Sequence, residues 1–247
     1  MLKADFHIHT NYIQEMETSF SPKELIDKAA SMGFDVLCFS EHYILTRLGD
    51  YFPEYRKEPL TTYRDFKDYA ESKGILLLPA VEMRYKEGEI VLVNFKGDVR
   101  DYPTIESLKS LPKDVFVIAP HPFYKRGMCL GENLEKHIAL FDAIEYSHFY
   151  AKICNFNKKA VRIAKKCSKP MVGTSDTHML LQFGYTYTLL DAEKNINSVV
   201  RALKKGKLKL VTNPLPLWPF TIITLNTIYK ICSGPFRIAW RKITGKI

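Results

Sequence analysis

The sequence predicts an α/β barrel, and three observations lead to this fold class. Short apolar runs alternate along the chain with amphipathic helical patterns, which is typical of parallel βαβ units. Six or seven such units fit into residues 1–211, a number that favours a barrel over an open doubly wound sheet, the second choice. The 247 residues are 46% hydrophobic and 26% charged, as in an ordinary globular protein, so disorder and a collagen-like structure are excluded.

The predicted elements begin with a strand over Leu2–Ile8 and a helix that starts at Pro22. Ser21 and Glu24 form a capping box around that proline, and Gly33 closes the helix. Further strands are expected where short apolar runs recur, at residues 35–40, 75–81, 90–95, 115–119, 143–146, 171–174, 185–190 and 207–211. Further helices are expected at residues 62–73, 104–111, 133–140, 155–166 and 197–205.

The charge of the chain is distributed unevenly. The net charge of +9 comes from 36 Lys and Arg residues against 27 Asp and Glu residues. No acidic residue follows Glu193, whereas 11 basic residues do, so residues 1–193 are close to neutral. The basic C-terminal part therefore indicates a polyanionic partner, either nucleic acid or an anionic membrane surface.

Several classes of protein are disfavoured by what the sequence lacks. The five cysteines contain no CxxC pair and no signal peptide precedes Asp5, so we expect reduced thiols in a cytoplasmic protein. The longest uncharged run, residues 210–229, is interrupted by three prolines, so no membrane-spanning helix is expected. Neither glycine-rich nucleotide-binding pattern, GxGxxG or GxxxxGK[ST], is present.

Histidines and carboxylates recur where the predicted strands end. His7 and His9 close the first strand two residues apart, so their side chains point to the same face. The other strand ends carry Glu41, His42, Glu82, His121, Asp176 and His178. The carboxyl ends of barrel strands converge on one face, where active sites are built. Two further histidines do not fit this pattern: His137 is expected on a helix surface and His148 in a loop.

Such a set of side chains predicts a metal site. Imidazoles and carboxylates packed together without a cation would lose much solvation free energy. Divalent cations compensate the carboxylates and accept the imidazole lone pairs. Mixed ligation by His, Asp and Glu suits Zn, Mn or Fe rather than Mg.

In the order and spacing of these motifs the chain resembles the PHP family, named for polymerase-associated and histidinol phosphatase domains. The motifs that carry the resemblance are His7-Ile8-His9-Thr10, Glu41-His42, Val81-Glu82, His121-Pro122 and Ser175-Asp176-Thr177-His178. The resemblance extends over roughly residues 3–211. It implies a distorted (β/α)7 TIM-like barrel that holds two or three divalent metal ions and usually hydrolyses phosphoesters.

The resemblance also implies a role for each ligand. His7, His9, Glu82 and Asp176 would hold the first ion, and Glu82 would bridge to a second ion that His121 also binds. The third ion would be held by the pair His42 and His178.

The chain departs from the family pattern at three places. Glu41 stands where the family usually has Asp, and it is counted among the candidate ligands. Gln14 and Glu15 stand where a His or Asp is usual, and of these two only Glu15 is a credible ligand. The strand after Glu82 carries Val91 and Val93 but no histidine, which leaves the number of ions open.

The mechanism that follows is hydrolysis by a metal-activated water, since two metal ions would clamp a phosphate and lower the pKa of bound water toward ~7. His178 is expected to protonate the leaving group, with Asp176 and His42 beside it as catalytic residues. Positive charge on the phosphate oxygens is expected from Arg84, Lys125 and Arg126, and orientation of the ligands from Thr10 and Ser175.

The sequence thus predicts a metal-dependent phosphoesterase of the phosphatase or exonuclease type. Its substrate would be a small phosphomonoester, a nucleotide or an oligonucleotide end. Two alternatives stay open. An amidohydrolase-like metallohydrolase also opens with an HxH pair, although such enzymes commonly bridge their ions with a carboxylated Lys, and no Lys ends a comparable strand here. A degenerate, metal-poor barrel that binds nucleic acid or another partner is the second alternative.

Residues 212–247 are predicted to form a basic, aromatic extension outside the barrel. A proline-rich linker at residues 214–219 precedes a helix over residues 221–232, which Gly234 and Pro235 are expected to stop. The last segment mixes Lys and Arg with Trp, Phe and Ile. It either packs back on the barrel, the plainer expectation, or contacts an anionic membrane or nucleic-acid phosphates. The sequence makes no prediction of the oligomeric state.

Overall fold

The computed structural model describes residues 1–14, 18–124 and 128–243. One sheet contains ten strands in that part of the chain: β1 (Leu2–Ile8), β2 (Val36–Phe39), β3 (His42–Ile44), β4 (Leu76–Arg84), β5 (Glu89–Val93), β6 (Phe116–Ala119), β7 (Ala143–Ser147), β8 (Met171–Thr174), β9 (Thr186–Leu190) and β10 (Leu208–Thr212). The α-helices are α1 (Pro22–Ser31), α2 (Leu48–Tyr51), α3 (Thr61–Ser72), α4 (Asn133–Lys136), α5 (Asn157–Lys166), α6 (Ile196–Lys204) and α7 (Leu217–Ile243). Short 3-10 helices cover Pro53–Arg56, Val99–Asp101, Ile105–Ser110, Ile138–Leu140 and Leu180–Gln182.

The sheet curls into a nearly closed barrel, which confirms the predicted fold class. Its strand order is β10-β9-β1-β2-β4-β5-β6-β7-β8, and β3 pairs with β4 outside this path. The barrel closes where β8, at one end of this order, meets β9 and β10 at the other end, and the contact between β8 and β9 forms a seam. There the Gly173 N–H donates to Thr188 Oγ1 at 2.9 Å, and the same hydroxyl donates to the Gly173 carbonyl at 2.9 Å. Above the seam, Ile8 and Thr177 form a parallel bridge between the end of β1 and the segment after β8.

The strand directions correct the expectation of parallel units throughout. The pairs β1–β2, β2–β4, β6–β7 and β7–β8 are parallel. The pairs β4–β5, β5–β6, β1–β9 and β9–β10 are antiparallel. The cause is visible at the β4–β5 connection, where the Tyr85 N–H donates to the Gly88 carbonyl at 3.0 Å. A turn this short can join only antiparallel strands, because a parallel pair needs a crossover of a dozen or more residues.

Alternation along the strands separates an apolar floor from a polar mouth inside the barrel. In β4, Leu78, Ala80 and Glu82 lie on one face, and the first two pack in an apolar cluster with Val91 and Val93 of β5. All of these side chains are fully buried. The floor therefore occupies the amino ends of the parallel strands, and the polar groups collect at their carboxyl ends.

Helix α1 forms as the sequence predicts. Ser21 caps the helix by accepting the Glu24 N–H, and the Glu24 carboxylate accepts the Ser21 N–H at 2.7 Å, which completes the capping box. Leu25 and Ile26 of α1 are fully buried in a cluster that includes Leu37 of β2. Each such side chain contributes about 1.5–3 kcal/mol to the free energy of unfolding, so α1 is fixed on the outside of the barrel by packing.

Several elements differ from the sequence prediction. Residues 42–56, for which no element was expected, contain β3, α2 and a 3-10 helix. The expected helix at residues 104–111 is a 3-10 helix over Ile105–Ser110, and the one at 133–140 divides into α4 and the 3-10 helix Ile138–Leu140. Segments this short gain little from helix propensity, so tertiary contacts decide their form.

The C-terminal helix α7 is longer than expected. It begins at Leu217, so the proline-rich linker is shorter than predicted, and Pro219 lies in the first turn, where its missing N–H is not needed. The expected stop at Gly234 and Pro235 is wrong, because the helix continues through both to Ile243. An internal proline removes one helical hydrogen bond, and the flanking turns here retain the helix. None of the described helices combines the length and the apolar character needed to cross a membrane.

The seam gives a test of the fold. A Cβ atom at Gly173 would lie 2.6 Å from the Tyr187 carbonyl oxygen and 2.6 Å from Leu210 Cδ1, so β8 and β9 approach each other more closely than any other residue allows. We expect Gly173→Ala to lower the free energy of unfolding by about 1–3 kcal/mol in urea denaturation. Gly97→Ala is the comparison, because the atoms nearest to its Cβ are side-chain ring atoms of Phe95, at 3.3 Å, and of Tyr102, at 3.7 Å, rather than backbone. Equal stability losses in the two variants would contradict the close approach at the seam.

Candidate metal centre

The structure gathers seven of the predicted site residues at the mouth of the barrel. They come from the ends of β1, β4, β6 and β8 and from the first residue of β3, and they are His7, His9, His42, Glu82, His121, Asp176 and His178. The side chains of His7, His9 and Glu82 are completely buried. This convergence follows from the barrel, because distant segments place their ends on the same face.

Glu82 lies at the centre of the cluster. Its Oε1 atom is 3.2 Å from His7 Nε2 and 3.5 Å from His121 Nε2. Its Oε2 atom is 2.8 Å from His42 Nδ1 and 3.3 Å from His9 Nε2. Both oxygens are buried, and among the described residues neither is matched by a hydrogen-bond donor of good geometry. A buried carboxylate in this position is suited to a cation rather than to further hydrogen bonds.

Asp176 forms a second carboxylate centre beside Glu82. Its Oδ1 atom lies 3.3 Å from His9 Nε2, 3.6 Å from His7 Nε2 and 3.4 Å from His178 Nδ1. Asp176 and His121 both adopt left-handed backbone conformations, with φ of 43° and 23°. Such conformations cost about 1–3 kcal/mol each and persist where the surrounding structure holds them, which is common at functional sites.

Four overlapping groups of side chains have the geometry to hold a metal ion, since their ligand atoms all lie within 4.8 Å of one another. The groups are His7-His9-Glu82, His7-His121-Asp176, His9-His42-His178 and His42-Glu82-Glu89. Three of the four combine imidazole with carboxylate, a donor set typical of Zn, Mn and Fe sites. The residues present therefore fit the divalent ions that the sequence predicts.

The electrostatics of the cluster favour a cation. Burial lowers the pKa of His7, but the negative charges of Glu82, Asp176 and Glu145 outweigh burial and raise that pKa well above its usual value. Burial, reinforced by the nearby imidazoles of His42 and His178, lowers the pKa of His9. The carboxylates thus draw positive charge into this buried cluster, and a divalent cation would supply such charge.

Glu89 belongs to the cluster, although the sequence analysis missed it. Its side chain is buried in β5, and its Oε2 atom lies 3.7 Å from His121 Nε2. Burial and the charge of Glu82 raise the pKa of Glu89 to about 7. Because β5 runs antiparallel to β4, its first residue lies at the mouth of the barrel. The only sequence signal was a glutamate at the start of an apolar run.

Glu145 was also missed, and it orients two of the ligands. Its Oε2 atom accepts a hydrogen bond from His7 Nδ1 at 2.8 Å, which directs His7 Nε2 into the cluster. Its Oε1 atom accepts from the His121 N–H at 3.3 Å. Glu145 is fully buried in β7, so one charged residue within an apolar strand was the signal that could have revealed it.

Glu41 does not join the cluster, which corrects its prediction as a ligand. One carboxylate oxygen accepts hydrogen bonds from the hydroxyls of Thr10 and Thr62, and the other accepts the Thr10 N–H at 3.2 Å. Burial raises the pKa of Glu41 to about 7. Neighbouring residues on an extended segment point in opposite directions, so Glu41 faces away when His42 faces the ions.

The other predicted residues are placed as follows. Gln14 binds the backbone of His42, donating to its carbonyl at 2.6 Å and accepting its N–H at 3.3 Å. Arg84 lies at the edge of the cluster with Nε 3.8 Å from Glu89 Oε1. Ser175 donates its N–H to Asp5 at 3.1 Å rather than contacting a ligand. The predicted ligand Glu15 and the predicted phosphate-binding residues Lys125 and Arg126 lie outside the described residues.

The two remaining histidines are both more buried than their positions suggest. His148 lies in the loop after β7, as expected, but it is buried, and its Nε2 atom is hydrogen-bonded to Gln182 Nε2 at 2.9 Å. Burial lowers the pKa of His148 to about 4, so this imidazole is neutral. His137 is half-buried at the end of α4, and its Nε2 atom is buried without a hydrogen-bond partner among the described residues.

A nearly closed α/β barrel with imidazoles and carboxylates converging at its mouth defines a candidate metal-binding barrel. The sequence model of the PHP domain matches residues 5–173, and that of the PHP-associated region matches residues 155–208. The chain therefore belongs to the PHP domain family. The resemblance inferred from the motifs is confirmed.

Two solved structures are similar to the chain. One is a two-domain protein from Bacteroides vulgatus ATCC 8482 that contains a predicted PHP-like metal-dependent phosphoesterase, with a TM-score of 0.65 and 20% identity. The match covers 86% of this chain and 65% of that protein, so the chain spans about two thirds of its length. The other is PsfC from Pseudomonas syringae PB-5123, with a TM-score of 0.61, 15% identity, and coverage of 94% and 98%. No curated protein matches the sequence.

The role of Glu145 gives a test of the site. We expect Glu145→Gln to weaken metal binding about 10- to 100-fold, because His7 loses the charged acceptor that orients it. Isothermal titration of metal-stripped protein with Mn²⁺ and Zn²⁺ measures the change. Glu135→Gln is the control, since Glu135 pairs with Lys166 on the surface. An unchanged dissociation constant in Glu145→Gln would refute the orienting role.

Proposed function

We propose that the chain is a metal-dependent phosphoesterase that hydrolyses a small phosphomonoester, a nucleotide or an oligonucleotide end. One observation carries the proposal: the two oxygens of the buried Glu82 face imidazoles of four different histidines. A carboxylate with ligands on both sides is suited to bridge two cations. Paired cations are the usual device for displacement at phosphorus, where charge develops on both the attacking and the leaving oxygen.

The proposed ion sites follow from the distances. The first site would comprise His7, His9, Glu82 and Asp176, in which neighbouring imidazole and carboxylate atoms lie 3.1–3.6 Å apart. A second ion would be held by Glu82 and His121, which faces the same carboxylate oxygen as His7. A third group is formed by His9, His42 and His178.

Glu89 completes the second site in this proposal. The family pattern places a histidine on the strand after the bridging glutamate, and this chain has valines there. Glu89 enters the same space from the start of that strand, 3.7 Å from His121 and within the group that includes Glu82. A carboxylate in place of an imidazole makes the site a harder donor set, which favours Mn²⁺ or Fe²⁺ over Zn²⁺.

Protein side chains are proposed to transfer a proton to the leaving group and to bind the phosphate oxygens. Bound divalent ions supply the positive charge that polarises a phosphoryl group and makes water a nucleophile near neutral pH. His178, whose side chain is 22% exposed, is proposed to protonate the leaving group, and its Nδ1 atom lies 3.0 Å from the Asp176 carbonyl oxygen. Arg84 is positioned to bind a phosphate oxygen, and Lys125 and Arg126 are proposed for the same task.

The two alternatives are weaker than this proposal. An amidohydrolase-like site commonly contains a carboxylated lysine that bridges its ions, whereas the buried bridging candidate on β4 of this chain is Glu82. A metal-poor binding module followed from the missing histidine, and Glu89 offers a ligand in its place.

The proposed activity is tested by removing a ligand. We expect His9→Ala and Asp176→Ala each to abolish hydrolysis of an aryl phosphate, because each contributes to the first ion site. Initial rates are measured with Mn²⁺, Zn²⁺, Fe²⁺ and Mg²⁺ on the same protein preparations. His137→Ala, outside the cluster, is expected to keep its activity. Turnover retained by both ligand variants after chelation would exclude a metal-dependent reaction.

The role of Glu89 is tested by counting ions. Glu89→Gln is expected to bind one fewer Mn²⁺ ion than the unmodified protein, because a neutral amide is a poor ligand in a buried site. Glu89→His is expected to keep the number of ions but to shift preference from Mn²⁺ toward Zn²⁺. Elemental analysis after equilibrium dialysis measures both.

Glu87→Gln, on the adjacent turn, removes a nearby charge without touching the cluster and serves as the control. An unchanged ion count in Glu89→Gln would leave Glu89 as a partner of Arg84 alone.

A further inference from the structure

Helix α7 exposes a continuous stripe of large apolar side chains. The members follow one another at intervals of three, four or seven residues, which all return to one side of a helix, and are between 39% and 79% exposed: Trp218, Ile222, Leu225, Tyr229, Phe236 and Trp240. At 100° per residue they fall within an arc of about 60° of the helix circumference. The stripe therefore presents one narrow apolar face along most of the helix.

The opposite side of α7 is attached to the barrel. Ile223 is buried against Leu215, and the ring of Phe220 stacks on Phe149 with the ring centroids 4.7 Å apart. These contacts occupy the first turns of the helix and fix which face points outward. The stripe is consequently not the part of α7 that the barrel core covers.

Most of the exposed large apolar side chains of the described residues lie on α7. Among the described residues, eight of the twelve exposed large apolar side chains lie on α7. Single exposed apolar side chains are normal on a soluble surface, whereas a contiguous patch marks an interaction site. The remaining four, among them Ile153, are scattered over the barrel surface.

The charge of the same segment identifies the partner. Residues 217–247 contain five Lys and Arg residues and no Asp or Glu. A second copy of α7 would bring the same positive charge, without the complementary pairs that stabilise helix–helix dimers. Nucleic-acid phosphates would match the charge but would leave the Trp, Phe and Ile side chains exposed. An anionic lipid surface matches both properties, because headgroups attract the basic residues and the acyl boundary accepts the apolar stripe.

The aromatic content of the stripe agrees with a membrane surface. Trp218 and Trp240 stand near its two ends and Tyr229 near its middle. Indole and phenol rings favour the boundary between headgroups and acyl chains, where one edge is apolar and the other is hydrated. Since α7 lacks the apolar character to cross a bilayer, a helix of this kind lies in the plane of the surface.

We propose that α7 is a membrane-surface helix that docks the barrel on anionic lipid bilayers. The stripe from Trp218 to Trp240 inserts at the level of the headgroups, and the basic residues of the C-terminal segment bind the lipid phosphates and carboxylates. This interaction is independent of the proposed hydrolysis, because no stripe residue belongs to the metal centre.

The test is vesicle flotation with the full chain. Vesicles of phosphatidylcholine alone are compared with vesicles that also contain phosphatidylserine. We expect binding to the anionic vesicles, little binding to the neutral ones, and weaker binding as salt is raised. The double variant Leu225→Ser/Phe236→Ser is expected to bind at least about tenfold more weakly, because two large apolar side chains no longer enter the bilayer.

Ile153→Ser is the matched control, since Ile153 is 81% exposed but lies away from the stripe, and it is expected to bind as the unmodified chain does. Circular dichroism and hydrolysis of a soluble aryl phosphate check that the variants fold and that the metal centre is intact. If the double variant loses helicity, Lys230→Gln/Lys246→Gln replaces it, with reduced binding to anionic vesicles as the expected result.

Three outcomes would overturn the proposal. The first is an unmodified chain that floats with neither kind of vesicle. The second is a dimer in sedimentation velocity that the double variant abolishes, which would make a second copy the occupant. The third is equal binding by Leu225→Ser/Phe236→Ser and the unmodified chain. Failure of the hydrolysis assay alone would count against the metal centre and not against the helix.

Discussion

The architecture of the barrel mouth depends on the burial of ionised carboxylates. Glu82 is fully buried, and an ionised carboxylate without a partner costs several kcal/mol in a protein interior. Imidazoles alone offset this cost only in part, because burial and two neighbouring imidazoles lower the pKa of His9. Divalent cations satisfy carboxylates and neutral imidazoles together. The strand ends, the orienting role of Glu145 and the left-handed backbone at Asp176 all serve to keep these groups in one place.

Much of the fold and most of the cluster could be predicted, because the relevant signals are local. An apolar run followed by His7 and His9 indicates both a strand and the face on which the two rings lie. The capping box at Ser21 and Glu24 marks a helix start within four residues. Once a barrel is inferred, His121 and Asp176 are expected at the same mouth, because the carboxyl ends of its parallel strands converge there. No knowledge of which strands pair with each other is needed.

The residues that escaped prediction depend on contacts distant in sequence. Glu89 is a ligand candidate only because β5 runs antiparallel to β4, which places the first residue of a strand where the last was expected. Glu145 is separated from His7 by 138 residues, and nothing near it in sequence indicates that contact. Glu41 has the ligand-like position in sequence but lies outside the cluster. Its neighbour His42 takes the inward position, and the hydroxyls of Thr10 and Thr62 donate hydrogen bonds to the Glu41 carboxylate. Helix α7 continues through Gly234 and Pro235, so a glycine–proline pair does not by itself end a helix.

The seam between β8 and β9 has a consequence for how the molecule opens. Strands elsewhere in the sheet are joined by backbone ladders, whereas Gly173 meets β9 through the hydroxyl of Thr188. Local fluctuations begin where the fewest backbone hydrogen bonds must break, so amide hydrogens bordering this joint should exchange earliest with deuterated solvent. Asp176 and His178 directly follow β8. Breathing of the wall at this joint would therefore loosen the segment that carries both residues.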